Sequence, residues 1–542
     1  MNQFIDHNLA MDTVFKPDTS AEELEAIAQA QPSLRHLVAG HANVSPLTIT
    51  WLAAENDPNV MQVIDSRGIK VQQPPAPQAL PNPTPPKQHQ WAIWVAALAV
   101  VLAVTLIVTL LPRSPQPGPA TPDSSSPSES ETKDKKAEPW SPAVIDIWRR
   151  PYGGSGHDIF KAVAITPSVD FIVVGSTDSP DGDFPVRYSG RDAVLARLTN
   201  DGDLLWTHVF GGNGDDEFTS VTLDGDGNIY AAGNTTSTSG DFVSQGGTDA
   251  TLVKLDSYGD LIWARRYGGA ADDSFTSVVA YRDGVVVAGF TDSTDGDFPA
   301  RHGKRDALLA TIDADGNLIW ARTYGGAGVD EFASVIQGAD DGFVAVGKTN
   351  SRDGDFASSM EGWNAVIAGF KPDGELAWAA THGGNDDDEF NAVAHSADGV
   401  YYIAGATNSI DNTLNVDPDS IHADTSGVFG EITSTGDNTV QTTESWGNVI
   451  MTAAANVEEH VNVAVGLVPE EPMCFLDLSY YNAGEYWSNE WRPEACGFHG
   501  VAVQNRLVVA VGISWPYDGD YHMPVAYGGP DALIAVYTIE EE

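Results

Sequence analysis

Acidic side chains set at fixed intervals are the feature of this sequence with the clearest chemical potential. A turn of the form Asp178-x-x-Asp181-Gly-Asp183 recurs as Asp292, Asp295 and Asp297, and again as Asn350, Asp353 and Asp355. Looser copies keep only Asp518 and Asp520, or Asp241 alone. Hard oxygen ligands clustered on a turn suit Ca²⁺, which takes roughly six to eight of them. The spacing is not that of an EF-hand, however, and Asp and Asn also recur in turns because they hydrogen-bond their own backbone. Calcium held by Asp178, Asp181, Asp183, Asp292, Asp295, Asp297, Asp353 and Asp355 therefore stands beside a purely structural reading. A second acidic set follows each of several glycine pairs: Asp215, Asp216 and Glu217; Asp272 and Asp273; Asp330 and Glu331; Asp386 to Glu389. Carboxylates there could gather a cation or a basic peptide. No copy stands apart as a catalytic dyad.

The two cysteines, Cys474 and Cys496, lack the further ligands that tetrahedral zinc needs. In an exported domain such a pair favours a disulfide. The sequence carries no His-Glu-x-x-His, nucleophile elbow or Walker motif, so catalysis is not expected.

These acids sit on a repeat. Glycine pairs stand at Gly153, Gly211, Gly268, Gly325 and Gly383 with their following residues, each leading through acids to Phe160, Phe218, Phe275, Phe332 or Phe390. An alternating strand ending in Gly follows, then the Asp-rich turn, a second strand, and a strand carrying Trp206, Trp263, Trp320 or Trp378. Period-two apolar patterns between Gly and Asp turns predict four short strands per unit, which is a propeller blade. Seven blades are expected over residues 141–542, with a degenerate sixth around Cys474. The last unit stops one strand short at the chain end. Val144 to Tyr152 aligns with Leu261 to Tyr267, so the first strand is expected to complete the last blade and close the ring.

Trp91 to Leu111 is 21 residues without a charge. At about 1.5 Å rise per residue it matches a hydrocarbon core about 30 Å thick. It is read as an uncleaved signal anchor, with the N-terminus cytoplasmic and the C-terminal propeller extracellular at the cell membrane. Residues 1–71 read as a small helical solenoid, with Ser20 as an N-cap and Leu24, Ile27 and Ala28 on one face. Residues 72–90 form a Pro-rich linker and 112–140 a Pro/Ser/acid-rich stalk. The expected fold is thus multidomain: a helical module, one transmembrane helix and an all-β propeller.

Nine acids and five bases precede Trp91, so the chain's net charge of −48 leaves −44 beyond that point. Such a surface repels nucleic acid.

Pro32 to Gly68, with Pro32-Ser-Leu-Arg35, Val38 to His41 and Trp51-Leu-Ala53, resembles the variant leucine-rich repeat found near the N-termini of actinobacterial membrane proteins. That resemblance implies a cytoplasmic module with a protein partner. From Ser141 on, the repeat is similar to bacterial extracellular seven-bladed propeller repeats of the SBBP type, a family defined by fold rather than activity. The expected function is binding of an extracellular protein or glycan, as in adhesion. A transmembrane sensor or scaffold is the alternative, and a quinoprotein-like or carbohydrate-active propeller enzyme the second. Asp256, Gly259 and Trp263 only approximate a quinoprotein repeat, because their Asp–Gly spacing is shorter.

Overall fold

The structure, a computed structural model, describes residues 142–541 apart from breaks between strands, the longest at 410–425 and 515–529. The described residues form twenty-eight strands, β1 to β28 in chain order, arranged as seven four-stranded antiparallel sheets. Six of these run consecutively along the chain. The first covers residues 158–210, the second 216–267, the third 273–324, the fourth 330–382, the fifth 388–447 and the sixth 450–491. The seventh combines β26 (Cys496–Gln504), β27 (Leu507–Ser514) and β28 (Asp531–Glu541) with β1 (Pro142–Tyr152). The two ends of the domain therefore meet in one sheet, with Pro142 opposite Glu541 and Tyr152 opposite Ala532.

The expected combination of helical module, membrane-spanning helix and propeller is corrected here. Among the described residues there is no α-helix. The one helical element is a 3₁₀ turn at Gly354–Phe356, and no helix is long and apolar enough to cross a membrane. Alternating polar and apolar residues between Gly turns cannot present a helical apolar face, so this part of the chain folds wholly as strands. The expected solenoid over 1–71, the linkers and the 91–111 segment lie outside the described residues, as do Asp518 and Asp520.

In the first four sheets the second and third strands are buried at all but single positions. Phe171–Thr177 and Asp306–Ile312 are buried at every position, whereas outer strands such as Leu261–Tyr267 are half exposed. Phe160, Phe218, Phe275, Phe332, Phe390 and Phe498 are at most 1% exposed and fill the space between neighbouring sheets. The outer-strand tryptophans Trp148, Trp206, Trp263 and Trp320 lie over the glycine turn of the following sheet. The indole of Trp148 donates to the Asn200 carbonyl at 3.0 Å, and that of Trp263 to the Ala314 carbonyl at 2.9 Å. Gly202 and Gly259 have φ near +82° and +98°, and a Cβ at either would lie about 3 Å or less from the tryptophan ring. Glycine is required there by conformation and by contact together.

Every inner strand carries a bulge just after its buried aromatic or Met451, and this kinks one residue out of register. The displaced residues are Lys161, Thr219, Thr276, Ala333, Asn391, Thr452 and His499. Thr219, Thr276 and Thr452 each donate to the carbonyl of the aromatic in the next sheet at 2.8 Å, stitching neighbouring inner strands together.

Cys496 is buried and disulfide-bonded; the other cysteine of the chain, Cys474, lies on β24 (Cys474–Asn482). Reduction is expected to destabilise the domain by about 3 kcal/mol, the chain-entropy value for a loop of about 20 residues. Calorimetry with and without reductant measures this, and an unchanged melt would remove the disulfide from the stability of the fold.

Candidate ligand-binding site

The turn acids read as a calcium set are engaged by backbone amides. Asp178 Oδ1 accepts from the His157 amide at 2.5 Å, Asp181 Oδ1 from Ser155 at 2.7 Å, and Asp183 Oδ2 from Gly153 at 3.0 Å. Asp295 and Asp297 accept from Ala270 and Gly268, and Asp353 and Asp355 from Ala327 and Gly325. Asp292 instead takes a two-point hydrogen bond from Arg305 at 2.8 and 2.9 Å. The carboxylates thus clamp the glycine-pair segment of the same sheet, and among the described residues no three His, Cys, Asp or Glu side chains converge as a metal site.

The second acidic set divides into different roles. Asp216, Asp273, Asp330 and Asp388, with Asp158 in the first sheet, are at most 1% exposed. Each accepts from a glycine amide four residues back, for example Gly269 to Asp273 at 2.8 Å. Each also accepts from a serine hydroxyl, as Ser293 does to Asp273 at 2.7 Å. In the second to fifth sheets a threonine hydroxyl, such as Thr291, completes the set. Burial pushes all five carboxyls above the ordinary value, against the downward pull of these donors. The partners are written in the sequence as Thr-x-Ser, beginning at the last residue of the second strand in each of the first five sheets, a signal that the strand pattern alone does not reveal. The neighbouring glutamates pair with bases of the preceding sheet: Glu217 with Lys161 at 3.7 Å, Glu331 with Arg305 at 2.6 Å, Glu389 with Lys348 at 3.0 Å. The repeated clusters therefore supply structural acceptors and ion pairs rather than an open anionic well.

One junction departs from this pattern. Between the fourth and fifth sheets lies a cavity of about 250 Å³ lined by Lys348, Trp363, Asp387, Glu389, Asn408 and Ile450, among others. Trp363 stands where the first three sheets carry Arg191, Thr248 and Arg305, immediately before the third strand. Its amide is held by Asp387 Oδ1 at 3.0 Å, and its ring is half-buried beneath Lys348 Nζ, 5.2 Å from the centroid. In three other sheets the residue at the position of Asn408 uses its side chain to accept a loop amide: Asp178 from His157, Thr236 from Asp215, Asn350 from Val329. The Asn408 side chain makes no such bond among the described residues and lines the cavity. Glu389 connects the cavity to the centre of the ring, because its Oε1 accepts from Asn391, which lines the central channel with Ser220, Thr276, Ser334, Thr452 and His499. Burial and the charge of Lys161 lower the His499 imidazole to about 3, so it is neutral in the channel at ordinary pH.

Sequence comparison identifies a leucine-rich repeat variant domain over residues 9–68 and a β-propeller repeat over residues 205–241. No curated protein matches the chain. Similar solved structures include the RRP9 WD40 repeats (TM-score 0.43, 6% identity, 72% of this chain and 100% of that one). YCF48 bound to a D1 peptide gives a TM-score of 0.38 at 10% identity, over 75% of this chain and 97% of that one. A putative 6-phosphogluconolactonase from Bacteroides uniformis gives 0.37 at 10% identity, over 63% and 94%. The β-propeller repeat match agrees with the repeated four-stranded sheets, and none of the comparisons carries a functional argument.

Proposed function

We propose that this protein is a non-catalytic binding propeller whose ligand sits in the cavity between the fourth and fifth sheets. The observation that carries this reading is the break in the repeat at that junction. Elsewhere the side chains at the position of Asn408 hold loop amides or, as Asp292 does with Arg305 at the position of Trp363, join an ion pair. Here Trp363 and Asn408 line an open cavity instead. A position that stops serving the scaffold while its neighbours continue to do so has been released for another use. The non-catalytic reading draws on the acids around the cavity: Asp388 is occupied by Thr407, Ser409 and Gly384, and Glu389 by Lys348 and Asn391. The disulfide of Cys496 supports a propeller that works in an oxidising compartment outside the cytoplasm.

The test is ligand capture on parallel glycan and peptide arrays, with the native chain and a Trp363→Ala variant whose melting temperature is checked. Native protein should retain a ligand that the variant binds at least about tenfold more weakly, the loss expected for removing a central aromatic contact. An Ile262→Asn change on the exposed outer strand should leave binding intact. Equal capture by the native chain and Trp363→Ala would place the site elsewhere.

A further inference from the structure

We infer that the cavity at Trp363 takes a neutral saccharide unit of a larger glycan, an inference that rests on the binding reading above. Size is the first argument: about 250 Å³ accommodates one pyranose ring with room for its hydroxyls, and is small for a folded peptide element. Chemistry is the second. A sugar hydroxyl both donates and accepts, so its recognition needs both kinds of group beside a flat apolar surface. The cavity supplies the indole of Trp363 as that surface, the Lys348 ammonium as a donor, the Glu389 carboxylate as an acceptor, and the Asn408 amide as both.

Other ligand classes fit less well. An acidic sugar would bring its carboxylate against Asp387 and Glu389, inside a region of the chain carrying −44. A ligand cation would have to displace Lys348 from the Trp363 ring and from Glu389, where it already makes the contacts that an ammonium group seeks. A peptide anchored by apolar side chains would find only Ala406 and Ile450 beside Trp363 among the apolar lining groups. The Lys348–Glu389 pair, with both side chains about one-third exposed, can stay intact while each partner bonds a separate hydroxyl of the sugar.

The experiment uses the full chain and calorimetric titration with tetramers of glucose in α- and β-linkage, N-acetylglucosamine, mannose and xylose. Oligogalacturonate and tetramethylammonium chloride serve as the acidic and cationic probes. At least one neutral tetramer should bind saturably. Trp363→Ala should weaken it by about tenfold or more, Asn408→Ala by about tenfold, and Trp363→Tyr by no more than about threefold, since an aromatic face is kept. Binding of only oligogalacturonate or tetramethylammonium, lost in Trp363→Ala, would overturn the saccharide class while leaving the cavity as the ligand site. A neutral tetramer that binds native protein and Trp363→Ala equally would overturn the cavity assignment itself. No binding by any neutral tetramer, with peptides captured in a Trp363-dependent way, would likewise overturn the saccharide inference.

Discussion

A fragment beginning at Gly153 is expected to lose the cooperative melt of one beginning at Ser141, with a loss of stability of about 5 kcal/mol or more. The missing piece is β1, whose register runs along ten residues of β28. Trp148 and Tyr152 leave with it. Tyr152 is 4% exposed within a core cluster that includes Phe160, Val511 and Ile534, and its hydroxyl donates to the Gly202 carbonyl at 2.7 Å. Burying the Tyr152 side chain is worth about 2–3 kcal/mol, and the partly buried Trp148 adds a smaller amount, before any backbone bond is counted. The truncation also turns β28 into an edge with unpaired amides and carbonyls beside the buried side chains of Leu533, Val536 and Tyr537, a template for association with other chains. Calorimetry and light scattering of the two fragments measure both effects. Equal melting temperatures and equal solubility would show that pairing of the chain ends contributes nothing to the fold.

The second large effect belongs to the buried aspartates. Asp273→Ala should destabilise the domain by about 3–5 kcal/mol, because Thr291, Ser293 and the Gly269 amide would all keep buried donors without an acceptor. Asp295→Ala, which removes one exposed acceptor of the Ala270 amide, should cost about 1 kcal/mol or less. The contrast separates a buried polar centre from a turn clamp. The same aspartates set an unusual dependence on pH. Burial raises the folded-state value of Asp158, Asp216, Asp273, Asp330 and Asp388 above that of the unfolded chain. The stabilisation from each is therefore full below about pH 4 and is lost as pH rises through the raised value. Melting temperature should fall between mildly acidic and neutral pH. Repulsion within so acidic a chain acts in the same direction, so the discriminating observation is the slope: Asp273→Ala should show a shallower decline than native protein. Parallel slopes would remove Asp273 from the pH dependence.

The local repeat was readable without coordinates because strands and tight turns are short-range physics. Alternation of apolar residues, Gly-Gly and Asp-Gly turns, and one aromatic per inner strand specify four strands per unit wherever the unit occurs. The position of β1 was also visible, since Val144 to Tyr152 copies the outer-strand pattern of Leu261 to Tyr267 with no sheet before it. Tertiary structure decided what the acids do. Asp183 and Gly153, or Asp297 and Gly268, are about thirty residues apart and meet only when the second-to-third-strand turn folds over the glycine pair. A list of carboxylates at fixed spacing therefore looks the same whether it binds calcium or caps amides. The sheet geometry shows the second role, with the amides already in place. The bulge ring around the channel is equally invisible in one dimension, because a bulge is defined by two residues facing one across a ladder. The cavity at Trp363 needed both kinds of information. Sequence places a Trp where other units have Arg or Thr, and only the three-dimensional junction shows that this substitution, the unengaged Asn408 and the Lys348–Glu389 pair surround one space.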